Sequence, residues 1–426
     1  MTDTGMTDTG MTDTGVHTQP RAIPGHRFVT SAFWRALPAG MRRRWWMFRP
    51  LDLMARHWPV FKRRRGLLVV RMDGIGDMVL FRAGLDHYAE AFGVEKADVT
   101  VLGCASWGGI AEEVFAGYRV EIIDEHAYAR QPLYRFRVSL WVRRLAPAIA
   151  VCDSYLRRAL MADSLVWMSA APRRVVSLPY VNEPVRPEFK YYLSQVDEIV
   201  DTGVYPVHEV VRHYRFVSAL AGRDVAPAPP RIAWRDQKPP IEGGAPYVVL
   251  NPGSNEPGRR WPFSGYREMA DRLLAAGYRV VLVGSAEEKP EDDAVADLSG
   301  RAGVMDLIGR TALPGLLDLM KHAAAVISND TGPAHVSIAL GTPTVVVVGG
   351  GHFGCFVPYP EGVAPDHARF VFHEMECYHC FWRCHKRARK EDVFPCIDAV
   401  GVDQVWAEVK ALLDQGADNA MAQTES

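Results

Sequence analysis

Apolar residues along this chain occur in short runs, and most of the runs end at Gly, Ser, Thr or Asp. Runs of about four to eight Val, Leu and Ile residues are typical of strands buried on both faces of a sheet. Strands that alternate with helix-length segments predict parallel sheets with right-handed crossovers. The runs that we assign to strands are residues 66–70, 98–102, 120–123, 149–152 and 174–177, then 247–250, 279–283, 306–308, 323–327 and 344–348.

A stretch rich in Pro and Gly at residues 226–246 separates the two series of strands. This composition predicts an interdomain linker. We therefore expect two α/β domains, at residues 66–225 and 247–415, followed by a short tail at 416–426. A chain of 426 residues is long enough for each domain to bury its own core.

The first 65 residues differ from the rest in composition. Residues 1–32 begin with three copies of Met-Thr-Asp-Thr-Gly, which are too polar and too short to bury a core, so we predict a disordered tail. Residues 33–65 form a basic aromatic arm, and residues 1–65 carry twelve Arg and Lys against four Asp. The arm suits an interfacial helix on an anionic membrane, or equally a helix that packs its aromatic side chains on the folded body.

The overall composition excludes several classes of protein. A net charge of −1 does not favour nucleic acid as a partner, and no nucleic-acid-binding motif accompanies the basic arm. Seven Cys in a chain of this length do not indicate a disulfide scaffold. No apolar run is long enough to span a bilayer and no secretory signal is evident, so we expect a cytoplasmic location.

The first predicted strand runs into a Gly-rich turn, Arg-Met-Asp-Gly-Ile-Gly-Asp at 71–77, and then into a helix start. Glycines at such a turn allow a ligand to approach the backbone. Asp77 would lie at the mouth of the cleft, where a carboxylate suits a general base. The alternative is that Asp77 caps the helix.

A second polar turn, Ser-Asn-Asp-Thr-Gly-Pro-Ala-His at 328–335, follows the strand predicted at 323–327. The free N–H groups and the dipole at the start of the following helix favour an anion such as a diphosphate. Asp330 and Thr331 could touch a ligand, and His335 lies one turn into the helix on the same side. Plain capping by Asp330 and Thr331 is the alternative, although it does not explain the Gly-Pro pair and the His.

Four cysteines lie close together near the end of the chain, as Cys377-x-x-Cys380-x-x-x-Cys384 with Cys396. Four thiolates from one segment can form a tetrahedral site for zinc or iron, with neighbouring histidines as further candidate ligands. A reduced, metal-free loop is the alternative.

The motifs, taken in order, resemble glycosyltransferase family 9, the ADP-heptose:lipopolysaccharide heptosyltransferases. The resemblance covers about residues 66–415 and implies the GT-B fold, in which two Rossmann-like domains with parallel sheets face a central cleft. It depends on the turn at 71–77 and on four later motifs. These are Asn-Pro-Gly-Ser at 251–254 with Arg-Arg-Trp-Pro at 259–262, Gly-Ser-Ala-Glu at 284–287, Leu-Ile-Gly-Arg-Thr at 307–311, and the turn at 328–335.

The resemblance implies a role for each matching residue. Asp77 would be the base that deprotonates the acceptor hydroxyl, which attacks the anomeric carbon with inversion and without a catalytic metal. Lys is usual where Arg259 stands, and Arg keeps the charge while adding a bidentate fork. The implied donor-binding residues are Ser254, Arg259 and His335 near the phosphates, Thr331 and Gly332 on the diphosphate, Asp330 on the sugar and Glu287 on the nucleoside.

This chain also departs from the family pattern. Asn251 stands where the family often has His, and residues 81–84 and 349–354 differ from the usual segments. These changes lie around the sugar and the acceptor, so they leave the reaction type intact and the identity of both sugars open. Related Cys clusters recur in the family, and a subgroup that glycosylates proteins carries an iron-binding version.

The sequence therefore predicts an inverting glycosyltransferase that uses a nucleoside-diphosphate sugar, with ADP-heptose as the expected donor. The expected acceptor is a lipopolysaccharide-core or other envelope glycan at the inner face of the membrane. Two alternatives are a GT-B sugar-nucleotide epimerase, which would need a second catalytic acid, and a catalytically silent nucleotide-sugar-binding scaffold. The presence of Asp77 argues against the silent scaffold.

Overall fold

The computed structural model describes residues 22–24, 43–182, 186–239, 241, 244–288 and 297–424. The Met-Thr-Asp-Thr-Gly repeats and most of the predicted tail therefore lie outside the described residues, as do residues 33–42 of the arm. The chain forms two sheets flanked by helices, which confirms the predicted α/β class.

The first sheet has seven strands in the order β1-β7-β6-β5-β2-β3-β4. Its strands run parallel except β1, which pairs antiparallel with β7. The strands are β1 (Ala22–Pro24), β2 (Leu67–Val70), β3 (Val99–Cys104), β4 (Arg119–Ile123), β5 (Ile149–Cys152), β6 (Arg173–Ser177) and β7 (Glu198–Val200). Strand β1 corrects the prediction of disorder for residues 22–24, because ladder hydrogen bonds at the sheet edge hold them.

Ten helices accompany the first sheet within the described part of the chain. They are α1 (Arg43–Arg56), α2 (Ile75–Leu85), α3 (Tyr88–Phe92), α4 (Ala105–Gly108), α5 (Ala111–Val114), α6 (Glu125–Arg130), α7 (Pro132–Leu145), α8 (Ala162–Ser169), α9 (Arg186–Leu193) and α10 (Glu209–Ala221). Helix α2 follows β2 directly, so the turn at 71–77 lies at the carboxyl end of a central strand, where α/β proteins bind ligands.

The second sheet has six parallel strands in the order β10-β9-β8-β11-β12-β13. The strands are β8 (Tyr247–Asn251), β9 (Arg279–Leu282), β10 (Val304–Asp306), β11 (Ala325–Asn329), β12 (Thr344–Val348) and β13 (Ala368–Phe372). The helices are α11 (Phe263–Ala275), α12 (Leu313–Lys321), α13 (Gly332–Ala339), α14 (Pro395–Asp398) and α15 (Val402–Thr424). Strands β8 and β11 are central neighbours, which brings the motifs at 251–254 and 328–335 side by side.

Alternate residues of the strands pack on opposite faces, as the apolar runs require. In β2, Leu67 and Val69 belong to one buried cluster, whereas Leu68 and Val70 belong to another. The first cluster also contains Val249 of β8, so one apolar core continues from the first half of the molecule into the second.

Helix α1 is the helical part of the basic aromatic arm. Its contacts distinguish a helix at a membrane surface from a helix packed on the folded body. Phe48 is 2% exposed, and the Arg49 guanidinium lies 4.1 Å from the centre of the Tyr191 ring. Asp52 accepts two hydrogen bonds of 2.8 Å from the buried Arg135. The helix is therefore packed on the folded body. No helix within the described residues is both long and apolar enough to cross a membrane.

The segment predicted as a linker is partly docked on the second half of the molecule. The Ile232 N–H donates to the Ala339 carbonyl at 3.1 Å. The Trp234 indole donates to Asp318 at 2.8 Å, and Arg235 forms an ion pair with the same carboxylate at 2.7 Å. These contacts fix residues 232–235 on the second half of the molecule.

Candidate functional site

Asp77 lies in the first turn of helix α2, three residues after the helix cap at Gly74. The alternative that Asp77 is itself the N-cap is therefore wrong. Its carboxyl group folds back towards the backbone of Gly74, as an acid at this position commonly does. Burial raises the pKa of Asp77 to about 7, with a further contribution from the nearby charge of Asp73 and an opposing one from Arg71. A carboxyl group with a pKa near neutrality suits a general base.

A buried ion-pair network holds Asp73 beside Asp77. Arg71 Nη2 lies 2.7 Å from Asp73 Oδ2, and Ser154 Oγ donates to the same oxygen at 2.7 Å. Arg71 Nη1 also donates to Asp153 Oδ1 at 2.6 Å, and His213 Nδ1 lies 2.6 Å from Asp153 Oδ2. Although burial opposes it, the charges of His213 and Arg71 hold the pKa of Asp153 well below its usual range. The network fixes a negative charge close to the candidate base.

Sequence reasoning missed this network. Asp153 directly follows strand β5, so its place at the end of a strand was a usable signal. His213 lies in the middle of helix α10, where no local pattern distinguishes it from a residue of the packed face.

The second turn is built by strand β11 and helix α13. Thr331 is at the cap position of α13, but its side chain makes no capping hydrogen bond. Instead, the Thr331 hydroxyl accepts a hydrogen bond from Asn251 Nδ2 at 3.2 Å. The Asn329 amide donates to the Pro252 carbonyl at 2.8 Å, which ties the turn to the 251–254 loop. Plain capping therefore does not explain Thr331. Helix α13 begins at Gly332; the next residue, Pro333, has no N–H, and the Ala334 N–H donates to the Thr331 carbonyl at 3.1 Å. An anion at this turn would therefore interact mainly with the helix dipole.

Two polar atoms beside this turn are buried without a hydrogen-bond partner among the described residues. They are Ser254 Oγ and Arg259 Nε. Arg259 Nη2 is 2.9 Å from Asp330 Oδ2, so the guanidinium is held at one end and free at Nε. Unsatisfied buried donors are costly unless a ligand completes them, so their presence together indicates an anion site.

His335 is buried within the same turn. Its Nδ1 lies 2.8 Å from the Tyr359 hydroxyl, and its Nε2 lies 4.0 Å from Asp330 Oδ1. Burial lowers the pKa of His335 to about 4, with Asp330 opposing the shift. The imidazole is therefore neutral at pH 7, and it can donate or accept a hydrogen bond but adds no charge to an anion site.

The turns at 71–77 and 328–335 contact each other at two glycines. A Cβ added to Gly76 would lie 2.8 Å from His335 Cδ2, and one added to Gly332 would lie 3.2 Å from Ile75 Cβ. The first turns of α2 and α13 therefore abut, and they bring the turn that carries Asp77 next to the turn at 328–335. The roles of Asp77, Thr331, Gly332 and His335 stay predictions.

Glu287 stays a prediction as the residue that binds the nucleoside. It lies in a short 3-10 helix at Ala286–Glu288 and is exposed. The neighbouring Glu288 accepts a hydrogen bond from the Ser285 N–H at 3.0 Å, and its carboxylate lies close against Gly253. The structure thus places Glu288, rather than Glu287, against the 251–254 loop. The motif gave no signal that separated these two adjacent acids.

The four predicted metal ligands lie around one small space. Cys377, Cys380, Cys384 and Cys396 line a cavity of about 10 Å³, which the neighbouring histidines do not line. Burial raises the pKa of Cys380 and of Cys396, so both remain thiols unless a cation favours the thiolate. Within the described residues, no group of three or more His, Cys, Asp or Glu has the arrangement of a metal site.

Comparison with known proteins finds a match to one family over part of the chain. Residues 210–383 match the model of glycosyltransferase family 9 (heptosyltransferase). Lipooligosaccharide heptosyltransferase 2 of Haemophilus influenzae is 32% identical over 111 residues, which is 25% of this chain and 32% of that protein. The inactive autotransporter heptosyltransferase BimC of Burkholderia thailandensis is 28% identical over 249 residues, 54% of this chain and 55% of that protein. The chain thus spans about a third of the length of the first of these relatives.

Solved structures share the fold across both halves of the molecule. The ADP-heptose lps heptosyltransferase II of E. coli superimposes with a TM-score of 0.59 at 20% identity, covering 82% of this chain and 99% of that one. A glycosyl transferase family 9 protein from Veillonella parvula gives a TM-score of 0.65 at 17% identity, with coverage of 84% and 100%. The iron-containing dodecameric glycosyltransferase TibC of E. coli gives 0.52 at 16% identity, with coverage of 83% and 77%.

These matches confirm the predicted GT-B arrangement of two Rossmann-like halves. The sequence comparison agrees with the family resemblance over part of the chain, since residues 210–383 match the model of glycosyltransferase family 9 (heptosyltransferase).

Proposed function

We propose that this protein is an inverting glycosyltransferase that moves a sugar from a nucleoside diphosphate to a glycan acceptor. The observation that supports this most directly is the position of Ser254 Oγ and Arg259 Nε. Both are buried without partners beside the start of α13, which abuts the turn that carries Asp77. A donor diphosphate would satisfy these two groups and would lie at the positive end of the helix dipole.

We propose the following reaction between these two turns. Asp77 accepts the proton of an acceptor hydroxyl, whose oxygen forms a bond to the anomeric carbon of the donor sugar. The bond between that carbon and the diphosphate oxygen breaks on the opposite face, so the configuration inverts. The leaving diphosphate takes the bonding electrons, and Arg259, Ser254 and the α13 dipole stabilise its charge. We also propose that no metal ion takes part in catalysis.

We propose ADP-heptose as the donor and a lipopolysaccharide-core or other envelope glycan or glycolipid as the acceptor. The names of the relatives support this choice, since several are lipopolysaccharide or lipooligosaccharide heptosyltransferases. A panel of nucleotide sugars screened by thermal shift tests it, because a ligand that binds only the folded state raises its stability. We expect ADP-heptose to give the largest shift. A larger shift with a uridine or guanosine sugar would contradict the choice of donor.

Neither alternative accounts for the cleft as well. An epimerase would need acids on both sides of the anomeric centre, but Asp73 belongs to the same turn as Asp77 and is paired with Arg71, and Glu209 lies 3.4 Å from Arg212. A silent scaffold would resemble the relative named as inactive. The raised pKa of Asp77 favours catalysis, because carboxyl groups with a pKa shifted towards neutrality are concentrated at catalytic sites.

We propose that Cys377, Cys380, Cys384 and Cys396 hold one structural zinc or iron ion. These four residues line a common cavity, and thiolate is the ligand type that zinc and iron share. The sulfurs would draw together and lose their protons as the ion binds. An ion there would fix the segment without touching the reacting atoms.

We also propose that the protein works as a peripheral protein at the cytoplasmic face of the inner membrane. Trp58 is 41% exposed and Phe61 is 97% exposed, immediately before the basic run at 62–65. Exposed aromatic rings beside a run of basic residues suit an anionic lipid surface.

Vesicle sedimentation tests the membrane proposal. The double variant Trp58→Ser with Phe61→Ser should bind phosphatidylglycerol vesicles several-fold more weakly than the wild type. Val204→Ser is the matched control, because Val204 is 79% exposed but lies far along the chain from the basic run. Equal binding by all three proteins would contradict the assignment of this surface.

A further inference from the structure

Three glycines follow strand β12 and lie against the Cys-rich segment. A Cβ on Gly350 would lie 2.2 Å from Tyr378 Cδ1, and one on Gly351 would lie 2.1 Å from Trp382 Cδ2. A Cβ on Gly349 would also meet the Trp382 ring, at 3.0 Å. Two aromatic rings therefore lie directly on the bare backbone, and this close approach explains why residues 349–351 are glycine.

The Cys-rich segment is held on the glycine loop by its backbone as well. The His379 N–H donates to the Gly350 carbonyl at 2.7 Å, and the Phe381 N–H donates to the Gly351 carbonyl at 2.9 Å. His379, Phe381 and Trp382 have φ values of 66°, 53° and 60°. Non-glycine residues adopt this left-handed conformation where surrounding contacts stabilise it. Backbone strain of this kind is concentrated at functional sites.

The ring of Trp382 reaches from the glycine loop to the candidate anion site. The Arg259 guanidinium carbon lies 4.4 Å from the centre of the Trp382 ring, within cation–π distance. Phe394 supports the ring from behind, with the ring centres 5.2 Å apart. Arg259 is thus held by Asp330 at Nη2 and by Trp382 on one face, which leaves the buried Nε without a partner.

The adjacent Phe381 connects the same segment to the first half of the molecule. Its ring stacks on Tyr205 with centres 4.5 Å apart and on Tyr180 with centres 5.0 Å apart. The Tyr205 hydroxyl also lies 3.4 Å from the Gly351 carbonyl oxygen. The position of Trp382 is therefore set by contacts on both sides of the cleft.

We propose that Trp382 is a positioning residue for donor binding: its ring holds the Arg259 guanidinium so that Nε faces the donor diphosphate. This deepens the proposed function and rests on it. The ring acts through Arg259 and does not itself touch the reacting atoms. The Cys-rich segment then has a role in the active site, because it carries the ring that aligns the cation.

Two substitutions of similar size separate the electronic role of the ring from its packing. Trp382→Phe keeps an aromatic face for the guanidinium, whereas Trp382→Met fills much of the space without one. We expect Trp382→Met to weaken ADP binding about tenfold in isothermal titration, and Trp382→Phe to change it less than threefold. In transfer assays the donor KM of Trp382→Met should rise more than kcat falls. Equal losses from the Phe and Met variants would overturn the proposal.

A double-mutant cycle tests whether Trp382 acts through Arg259. Trp382→Met should have no further effect on ADP affinity in an Arg259→Ala background. Tyr378→Met is the matched control, since Tyr378 packs on the neighbouring Gly350 and is not within cation–π distance of Arg259. Its ADP affinity should equal that of the wild type.

The outcomes separate the two proposals. Additive losses in the cycle, or a loss in Tyr378→Met as large as that in Trp382→Met, would overturn the role of Trp382 alone. A wild-type protein that binds neither ADP nor any other nucleoside diphosphate would overturn the proposed function, and this inference with it.

Discussion

The backbone of Gly76 lies directly against the ring of His335, so that a methyl group at residue 76 would come within 2.8 Å of His335 Cδ2. This contact joins the first turns of helices α2 and α13, which come from opposite halves of the molecule. It sets the separation between Asp77 and the turn that would bind the diphosphate. The geometry of the reaction thus depends on a glycine that carries no chemical group of its own.

The first prediction concerns Gly76→Ala. Its Cβ would push the ring of His335, which is buried and bonded to Tyr359, so the two turns must separate. A displacement of about 1 Å at a reacting centre can cost about 100-fold in rate, and we expect a loss of that order in kcat/KM. Gly109→Ala is the control, because its Cβ would make only an ordinary contact of 3.8 Å with Pro314 Cδ. Similar activity in the two variants would show that the contact does not set the cleft.

The second prediction concerns the pH dependence of transfer. Because Asp77 acts as a base only when deprotonated, kcat/KM should rise with pH through a midpoint near its pKa of about 7. The charge of Asp73 contributes to raising that pKa, so Asp73→Asn should lower the pKa of Asp77 and move the midpoint to lower pH. Asp86→Asn, at the other end of α2, should leave the profile unchanged. A midpoint that moves upward in Asp73→Asn would contradict the assigned electrostatics.

The third prediction concerns the Cys-rich segment. If its four sulfurs hold one ion, purified protein should contain about one equivalent of zinc or iron per chain, measured by elemental analysis. Cys377→Ser or Cys380→Ser should abolish that content, whereas Cys104→Ser, buried in the first half of the molecule, should retain it. Fully folded wild-type protein without metal would contradict the structural ion.

The turns at the ends of strands could be predicted well from the sequence. A buried apolar run that ends in Gly, Asp or Thr already specifies a strand, a turn and a helix start, which is why Asp77 and Thr331 were located correctly. Boundaries were less certain: the strand expected at 323–327 extends to Asn329, so the first two residues of that motif belong to β11. Strands β7 and β13 were missed, because one has three residues and the other mixes polar with aromatic residues.

The contacts that tune the site could not be predicted in the same way. Asp153 and His213 are 60 residues apart, and Arg259 is 123 residues from Trp382. No local pattern brings such pairs together, since only the folded sheets do so. The same limit applies to the adjacent acids Glu287 and Glu288. Both lie in one short 3-10 helix, and they differ in the direction in which their side chains leave it. Local periodicity therefore predicted the turns that carry the candidate site, but not the distant side chains that contact them.

The most direct test of the account is the Asp77→Asn variant, assayed in parallel for sugar transfer and for binding of the nucleotide-sugar donor. Asparagine keeps the shape of the side chain and cannot accept the acceptor's proton, so transfer should fall by about 100-fold or more. Donor affinity should stay within about twofold of the wild type, because the predicted diphosphate contacts belong to Ser254, Arg259 and the start of α13. Transfer at the wild-type rate in Asp77→Asn, with donor binding intact, would contradict the role of Asp77 as the catalytic base.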